Sequence, residues 1–510
     1  MKITIFSKYT LVLLIIVIFN ILIRLSSLNT PIYDRHNFRQ SDTYAMIILL
    51  HEGKSNLFYP KFYQAPDKEN INHYYLAEFP IYQKLTALFF DLFGENLYLA
   101  RIINVIIFSF GGFGIFLIAS HFFNEKYGIL SVLVFSTFPS TFFWARSITP
   151  DILALSTLIL STALILRFTK KKSNFFLDVN SLFIYSSLLI SISILIKPFY
   201  FAFLPFHFVI LWLKNKDQTF RKYLYYFLTP ILFFLLWRLW LNSFPKTALS
   251  DPNFHTLMNL QTNHFFYLMN SSWIPNFITN EFLGQLLTPL GGLLVLFGIG
   301  VLLNEKKREK KIVLFAWIIS SSIVTLTIAY GSSIHDYYNL HWTPISALLV
   351  TYLLTNIITK LKTNFRIMLV AFVSVFIIYY LWFLPFQEFT KSYFSNTAYY
   401  SERLVEDYKK ISELIPEDQT VVTIQPFRDP YIINQVRRFG YTIGYKETLC
   451  NIDNNPYNEL KFYSDKEVNY AIAFFFENDL IECKRNHEDF FTLVEKRLIF
   501  SGNNLIVFRL

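Results

Sequence analysis

The sequence predicts an all-α polytopic membrane protein with about eleven transmembrane helices, followed by a small extracytoplasmic α/β domain. Three observations carry this prediction. Of the 510 residues, 53% are hydrophobic and only 16% are charged, whereas soluble proteins carry about 25% charged residues. Apolar segments long enough to cross a bilayer recur along residues 1–386. From about residue 400 onward, dense charges and short β-like runs replace them.

The apolar segments define the expected spans. The first, residues 9–28, is longer than the roughly 7 to 15 apolar residues of a signal peptide, and no small-residue cleavage site follows it. We therefore expect an uncleaved first helix. The expected spans are 9–28, 97–119, 127–144, 151–168, 180–197, 199–213, 223–243, 286–303, 312–330, 337–358 and 366–386.

Basic residues alternate between the two sides of this arrangement. With a cytoplasmic N-terminus, the inside segments are rich in Lys and Arg, whereas the four shorter outside segments hold only Arg146, Lys197 and Lys246. Cytoplasmic loops carry such an excess, so the bias supports both the number of spans and the orientation. We attribute the net charge of +10 to this topology and not to nucleic-acid binding.

The first loop, residues 29–96, falls on the outside. Its segments SDTYAMIILLHEG and FPIYQKLTALFFDLFG have apolar residues at helical spacing with polar gaps, which favours interfacial helices on the outer leaflet. We therefore expect a transmembrane domain over residues 1–386 that includes this folded loop.

A separate C-terminal domain is expected over residues 387–510. SERLVEDYKKISELI predicts a helix that PED ends, and TVVTIQ, NYAIAFFF and NNLIVFRL predict strands. The only two cysteines, Cys450 and Cys483, lie here. A disulfide in an oxidising compartment and two reduced thiols both stay open.

Ionisable residues gather at the outer ends of the expected spans. Such groups are costly to desolvate, and several together usually mark a substrate path or a site. Singly, each has a structural alternative: Asp42 or Asp151 as a helix cap, Lys197 as a snorkelling lysine and His335 as an interfacial histidine. The residues are Asp34, Arg35, His36, Arg39 and Asp42, then Arg146 and Asp151, then Lys197, and finally His335, Asp336, Tyr337 and Tyr338.

These residue types indicate a particular chemistry. A carboxylate can deprotonate an acceptor hydroxyl or amine, while Lys, Arg and His can hold a phosphate that leaves with growing negative charge. The set predicts transfer of a group from a lipid phosphate. The main alternative is a transporter or flippase of lipid-linked sugars, which would place its site near the midplane and in repeated halves. A partner-binding assembly protein is a second alternative.

Four segments resemble the GT-C glycosyltransferases, in particular bacterial membrane enzymes related to protein O-mannosyltransferases and to the aminoarabinose transferase of lipid A. RQSDTYAMIILLHEG resembles their first-loop acidic motif and ARSITPDILALS their second acidic motif. ILIKPFYFAFLP resembles the lysine-proline segment, and HDYYNLHWTPISALL the H-x-Y-Y-x-L-x-x-x-P segment. The resemblance covers residues 1 to about 386, and the order and common side of the motifs carry it.

The resemblance implies a polyprenyl-phosphate sugar donor, an acceptor reached from outside and net inversion at the anomeric carbon. The acceptor would be lipid A, another cell-envelope glycan or a protein. By position, it implies Asp42 as the general base, with Asp34 as the alternative, and Asp151 as the second acidic residue. Lys197 and His335 would hold the phosphate, and these residues are expected to line one cavity with Asp42 and Asp151.

Further donor contacts are expected from Arg39, Arg146, Tyr337 and Tyr338, although the tyrosines also suit an aromatic belt. His341 stands where a proline is common in the family. Some related enzymes need no metal, and carboxylates on one face can bind Mg²⁺ or Mn²⁺. Metal dependence therefore stays open.

Overall fold

The computed structural model describes residues 2–32, 34–65, 73–74, 78–167, 179–214, 220–244, 267–360, 402–425, 430–444, 456–475, 477–502 and 504–510. The chain divides into two compact units. The helical unit comprises Met1–Asn29, Asn96–Ser243 and Pro252–Lys391. The platform unit comprises Thr30–Glu95, Phe244–Asp251 and Ser392–Leu510.

Most of the described residues are helical. Three 3-10 turns, Leu25–Ser27, Pro198–Phe203 and Asp336–His341, and a π-helix, Phe277–Leu286, join or precede helices. The α-helices are α1 (Lys2–Leu22), α2 (Asn37–His51), α3 (Ile81–Phe93), α4 (Leu97–Phe122), α5 (Glu125–Thr137), α6 (Pro139–Trp144), α7 (Asp151–Arg167), α8 (Val179–Ile196), α9 (Leu204–Lys214), α10 (Phe220–Leu241), α11 (Trp273–Asn276), α12 (Thr288–Leu303), α13 (Arg308–Thr327), α14 (Ala329–Ile334), α15 (Trp342–Lys360), α16 (Glu402–Leu414), α17 (Tyr431–Val436), α18 (Pro456–Ser464), α19 (Glu477–Asn486) and α20 (Glu488–Lys496).

The predicted membrane character is confirmed, but the count of eleven spans is not. Within the described residues, four helices have the length and apolar composition to cross a membrane. A pair of helices that meet at 108°, Trp273–Leu286 and Thr288–Leu303, raises this number to five if it is one span. The span expected at 366–386 and the domain boundary expected at 386 lie outside the described residues.

The span expected over 127–144 is broken into α5 and α6. Pro139 is the first residue of α6, and Phe138 before it has an extended ψ of 140°. A proline disfavours helical geometry in the residue that precedes it, yet its own fixed φ suits the first turn of a new helix. The chain therefore bends here, shortly before the segment that carries Arg146 and Asp151.

Small residues of α4 allow a close approach of α7, the helix that begins at Asp151. A Cβ added at Gly111 would lie 2.7 Å from Ser156 Oγ, and one at Gly114 would lie 2.8 Å from a methyl group of Ile159. Membrane helices pack closely through such small residues. Asn104 of α4 also donates from Nδ2 to the Thr149 carbonyl at 3.0 Å, which fixes the start of α7.

The platform unit contains a five-stranded sheet, ordered β2-β1-β3-β5-β4. β1 (Val421–Gln425) pairs in parallel with β2 (Gly440–Gly444) and β3 (Tyr470–Phe474). β5 (Leu505–Arg509) is antiparallel to β3 and to β4 (Leu498–Ser501). The helix and the three strands predicted for the C-terminal domain are present, whereas β2, β4 and α17 to α20 were not predicted.

The first loop pairs with this sheet. Gly440 donates its backbone N–H to the Tyr63 carbonyl at 3.0 Å, and Ala65 donates to the Gly440 carbonyl at 2.6 Å. Only glycine fits at position 440, because a Cβ there would lie 1.8 Å from the Val421 carbonyl oxygen. The two predicted loop helices are confirmed as α2 and α3. In the same unit, Cys483 is buried and disulfide-bonded, while Cys450 lies outside the described residues.

Candidate active site

The two candidate bases of the first loop have different surroundings. Asp42 lies inside α2, which begins at Asn37, so it does not cap the helix. Its Oδ1 accepts a hydrogen bond from Asn434 Nδ2 at 2.8 Å, and its side chain is part-buried. Asp34 is only 1% exposed and accepts from Gln40 Nε2 at 2.5 Å. Of the two carboxylates, Asp42 is the more accessible.

Arg39 forms a buried ion pair that sequence reasoning missed. Its Nη2 lies 2.6 Å from Glu78 Oε2, and the two side chains are 10% and 4% exposed. Gln83 Nε2 donates to the other carboxylate oxygen at 3.0 Å. The sequence held no signal for this pairing, because Glu78 lies among other loop charges and at no span boundary. Part of the positive charge of Arg39 is thus already compensated by Glu78.

In the helical unit, Asp151 and Lys197 form a buried ion pair. Lys197 Nζ lies 2.8 Å from Asp151 Oδ1, and their side chains are 7% and 3% exposed. The same ammonium lies 5.6 Å from the ring centre of Tyr337 and 5.0 Å from that of Tyr338, within range of cation-π attraction. Asp151 Oδ2 is buried and has no hydrogen-bond partner within the described part of the chain. Lys197 is therefore not a snorkelling lysine.

Residues 335–338, at the start of the tenth expected span, lie beside the Asp151–Lys197 ion pair. The ring of His335 stacks on Tyr337 with centres 5.2 Å apart. Trp144 Nε1 donates to Asp336 Oδ2 at 3.2 Å, and the Trp144 ring contacts Tyr337 at 4.9 Å. Three distant stretches of chain thus converge on Tyr337.

Arg146 and Arg24 are buried cations beside this segment. Arg146 is fully buried; its Nη1 donates to the Ser27 carbonyl at 3.4 Å, and its guanidinium lies 4.6 Å from the ring centre of Phe143. Arg24, which sequence reasoning missed, is also 0% exposed. It donates from Nη2 to the Ser136 carbonyl at 2.9 Å and from Nε to the Phe142 carbonyl at 3.0 Å. Arg24 thus donates to carbonyl groups on both sides of the break between α5 and α6 and stabilises it, as basic groups do near helix C-termini.

His341, the departure from the family pattern, is buried. Its Nδ1 lies 2.8 Å from the Tyr338 carbonyl oxygen, and its Nε2 lies 3.0 Å from the Ser321 carbonyl oxygen on α13. Its place is thus between the turn that carries Tyr338 and a neighbouring helix.

The structure gathers the candidate residues into two sets. Asp34, Arg39 and Asp42 belong to the platform unit, and Asp151, Lys197, His335, Tyr337 and Tyr338 meet within the helical unit. That Asp42 and His335 line one cavity stays a prediction.

The carboxylates of the candidate site bear on metal binding. Among the described residues, no three His, Cys, Asp or Glu side chains cluster so that they could hold a metal ion. The buried carboxylates instead have separate polar partners: Gln40 for Asp34, Arg39 for Glu78 and Lys197 for Asp151. These described residues therefore do not form a ligand set for Mg²⁺ or Mn²⁺.

Residues 78–241 match the family described as dolichyl-phosphate-mannose-protein mannosyltransferase. The match covers α3 to α10 and therefore includes Arg146, Asp151 and Lys197. No curated protein matches the sequence.

Several solved structures share the fold along most of the chain. ArnT from Cupriavidus metallidurans bound to undecaprenyl phosphate has a TM-score of 0.61 at 11% identity, covering 99% of this chain and 97% of that one. The oligosaccharyltransferase of Archaeoglobus fulgidus in complex with Zn and sulfate has a TM-score of 0.62 at 13% identity, covering 93% and 70%. The Archaeoglobus fulgidus oligosaccharyltransferase AglB with an inhibitory peptide and a dolichol-phosphate has a TM-score of 0.62 at 11% identity, covering 99% and 76%.

Proposed function

We propose that this chain, a membrane glycosyltransferase of the GT-C superfamily by its fold and its family match, moves a sugar from a polyprenyl-phosphate donor to an extracytoplasmic acceptor. One observation carries the proposal: Asp151, Lys197 and Tyr337 come from three of the four family-like segments and meet at one point. Undecaprenyl phosphate and dolichol-phosphate in the similar structures support a polyprenyl-phosphate donor.

In the proposed reaction, an acceptor hydroxyl or amine attacks the anomeric carbon while the bond from that carbon to the phosphate oxygen breaks. The acceptor proton passes to the carboxylate of Asp42 as general base. The electron pair of the broken bond leaves on the polyprenyl phosphate, where Lys197 and His335 stabilise the growing negative charge. A single displacement of this kind inverts the anomeric configuration.

The surroundings of the carboxylates support Asp42 as the base. A general base must come within hydrogen-bond reach of the proton that it accepts. Asp34 is 1% exposed and bonded to Gln40, whereas Asp42 is part-buried. Asp34 remains the alternative base in the experiments below.

We place the platform unit and the reaction on the extracytoplasmic side of the plasma (inner) membrane. Lys and Arg are concentrated in the opposite segments of the sequence, as expected for cytoplasmic loops. The disulfide at Cys483 is also typical of an oxidising compartment. The acceptor class is lipid A, another envelope glycan or a protein.

The decisive assay uses the purified full chain in lipid nanodiscs with a radiolabelled polyprenyl-phosphate sugar and candidate acceptors. The expected result is labelled acceptor together with released polyprenyl phosphate. In parallel, cells with and without the protein are compared for the sugars on their lipopolysaccharide and glycoproteins. Movement of the donor across the membrane of sealed proteoliposomes that contain the protein, without transfer to any acceptor, would contradict the proposal and favour a flippase.

A further inference from the structure

Asn434 contacts the proposed base from the C-terminal part of the platform unit. It lies on α17, 392 positions along the chain from Asp42, and is 6% exposed. Its Nδ2 lies 2.8 Å from Asp42 Oδ1 and 3.3 Å from Ser41 Oγ. Because an ionised carboxylate only accepts hydrogen bonds, the nitrogen and not the oxygen of the amide must face Asp42.

Further contacts within the same unit hold Asn434 in place. The backbone N–H of Asn434 donates to the Pro430 carbonyl at 3.0 Å. At the end of α17, Arg437 Nη1 donates to Glu95 Oε2 at 2.9 Å, and Glu95 Oε1 accepts from Tyr44 on α2 at 3.0 Å. α17 is thus tied through Glu95 to α2, the helix that carries Asp42, on the C-terminal side of Asn434.

We infer that Asn434 is a positioning residue for the transfer reaction, an inference that rests on the proposed role of Asp42. Hydrogen bonds to charged groups are about twice as strong as neutral ones, so the amide fixes the rotamer of the carboxylate. With Oδ1 held by Asn434, the carboxylate has a fixed orientation in which to accept the acceptor proton. The C-terminal domain therefore contributes directly to the geometry of the proposed base.

A residue that orients the base acts on the chemical step and not on donor binding. Its loss should therefore lower kcat and leave the KM for the donor unchanged. A contact that only stabilises the fold would instead lower the melting temperature and the fraction of active enzyme. The two roles can be separated by measuring kcat, KM and the melting temperature on the same preparations.

The test uses the full chain in nanodiscs with Asn434→Leu, which keeps the size but removes the donor. We expect kcat to fall about ten- to a hundredfold, equivalent to about 1.4 to 2.7 kcal/mol, with the donor KM within about twofold of wild type. Asn434→Asp, which keeps the shape but places a second carboxylate against Asp42, should lose more. The matched controls are Asn469→Leu and Asn469→Asp in the same domain, where exposed Asn469 donates to Gln419 at 2.8 Å; both should retain wild-type kcat.

The outcomes separate this inference from the proposed function. If Asp42→Asn is inactive but Asn434→Leu and Asn434→Asp turn over like wild type, the positioning role is overturned and the base survives. If Asp42→Asn is active, the base assignment fails whatever Asn434 does. If Asn434→Leu does not fold, the near-isosteric Asn434→Asp variant decides the question. A wild-type kcat of Asn434→Asp would overturn the inference, and so would a fall in its kcat that is accompanied by a lower melting temperature.

Discussion

The buried pair of Lys197 and Asp151 allows structural and chemical roles of one lysine to be separated. Lys197→Met removes the ammonium group but keeps most of the apolar side-chain length. It leaves the Asp151 carboxylate, 3% exposed, without the cation at 2.8 Å. Lys197→Met combined with Asp151→Leu removes both charges at once.

The size of the effect follows from the distance between the charges. At 2.8 Å and an effective dielectric constant of about 20, the Coulomb attraction is about 6 kcal/mol, most of which desolvation offsets. Loss of one partner from a buried pair typically costs about 3 to 5 kcal/mol, whereas replacement of both by apolar groups is often neutral. We therefore expect Lys197→Met to melt well below wild type and the double variant to recover most of the loss.

Donor kinetics of the stable double variant then give the functional answer. If Lys197 holds the donor phosphate, the recovered protein still shows a raised donor KM and a lowered kcat. Melting is followed by intrinsic tryptophan fluorescence in nanodiscs, and transfer by release of polyprenyl phosphate. Lys8→Met is the matched control, because its ion pair with Glu125 is 55% and 48% exposed and such solvent-exposed pairs contribute little to stability.

Two results would refute this reasoning. A Lys197→Met protein that melts like the Lys8→Met control would show that the pair is not a buried charge pair. A double variant with wild-type donor KM and kcat would show that Lys197 only neutralises Asp151.

We make four further predictions, each for a residue of the platform unit or of the helical unit. Asp42→Asn should lower turnover by about 10² to 10⁴-fold with donor binding intact; if it keeps more than about a tenth of wild-type turnover while Asp34→Asn does not, the base is Asp34. A cysteine at exposed position 418 should react with an impermeant maleimide on intact spheroplasts, and labelling only after the membrane is breached would reverse the topology. Burial lowers the pKa of His73 to about 4, whereas a histidine in the unfolded chain has a pKa near 6.5 and is protonated first as the pH falls. The free energy of unfolding should therefore fall by up to about 3 kcal/mol between pH 6.5 and pH 4. The His73→Gln variant should lack this pH dependence. Arg24→Leu should lower the melting temperature, because the carbonyl groups at the break between α5 and α6 lose their donor; an unchanged melting curve would exclude that role.

The local pattern of residues was sufficient to predict many of the helices and most of the candidate residues. α4, α7 and α8 follow from long apolar runs, because a helix in lipid must satisfy its own backbone hydrogen bonds. α2 and α16 follow from helical spacing of apolar residues. The candidate residues Asp151 and Lys197 were identified because lipid excludes charge, so ionisable groups at span ends are informative.

Only the tertiary structure decided which of these residues touch. Asp151 was expected as an acidic site residue and Lys197 as a phosphate holder, yet they form an ion pair at 2.8 Å. Asp42 receives its hydrogen bond from Asn434, in a domain where no functional residue was expected, and Arg39 meets Glu78. These partners lie dozens to hundreds of positions apart, and helical or strand periodicity relates only near neighbours in the chain. The pairing depends on close packing and on the cost of leaving a buried charge uncompensated, and both are properties of the folded molecule.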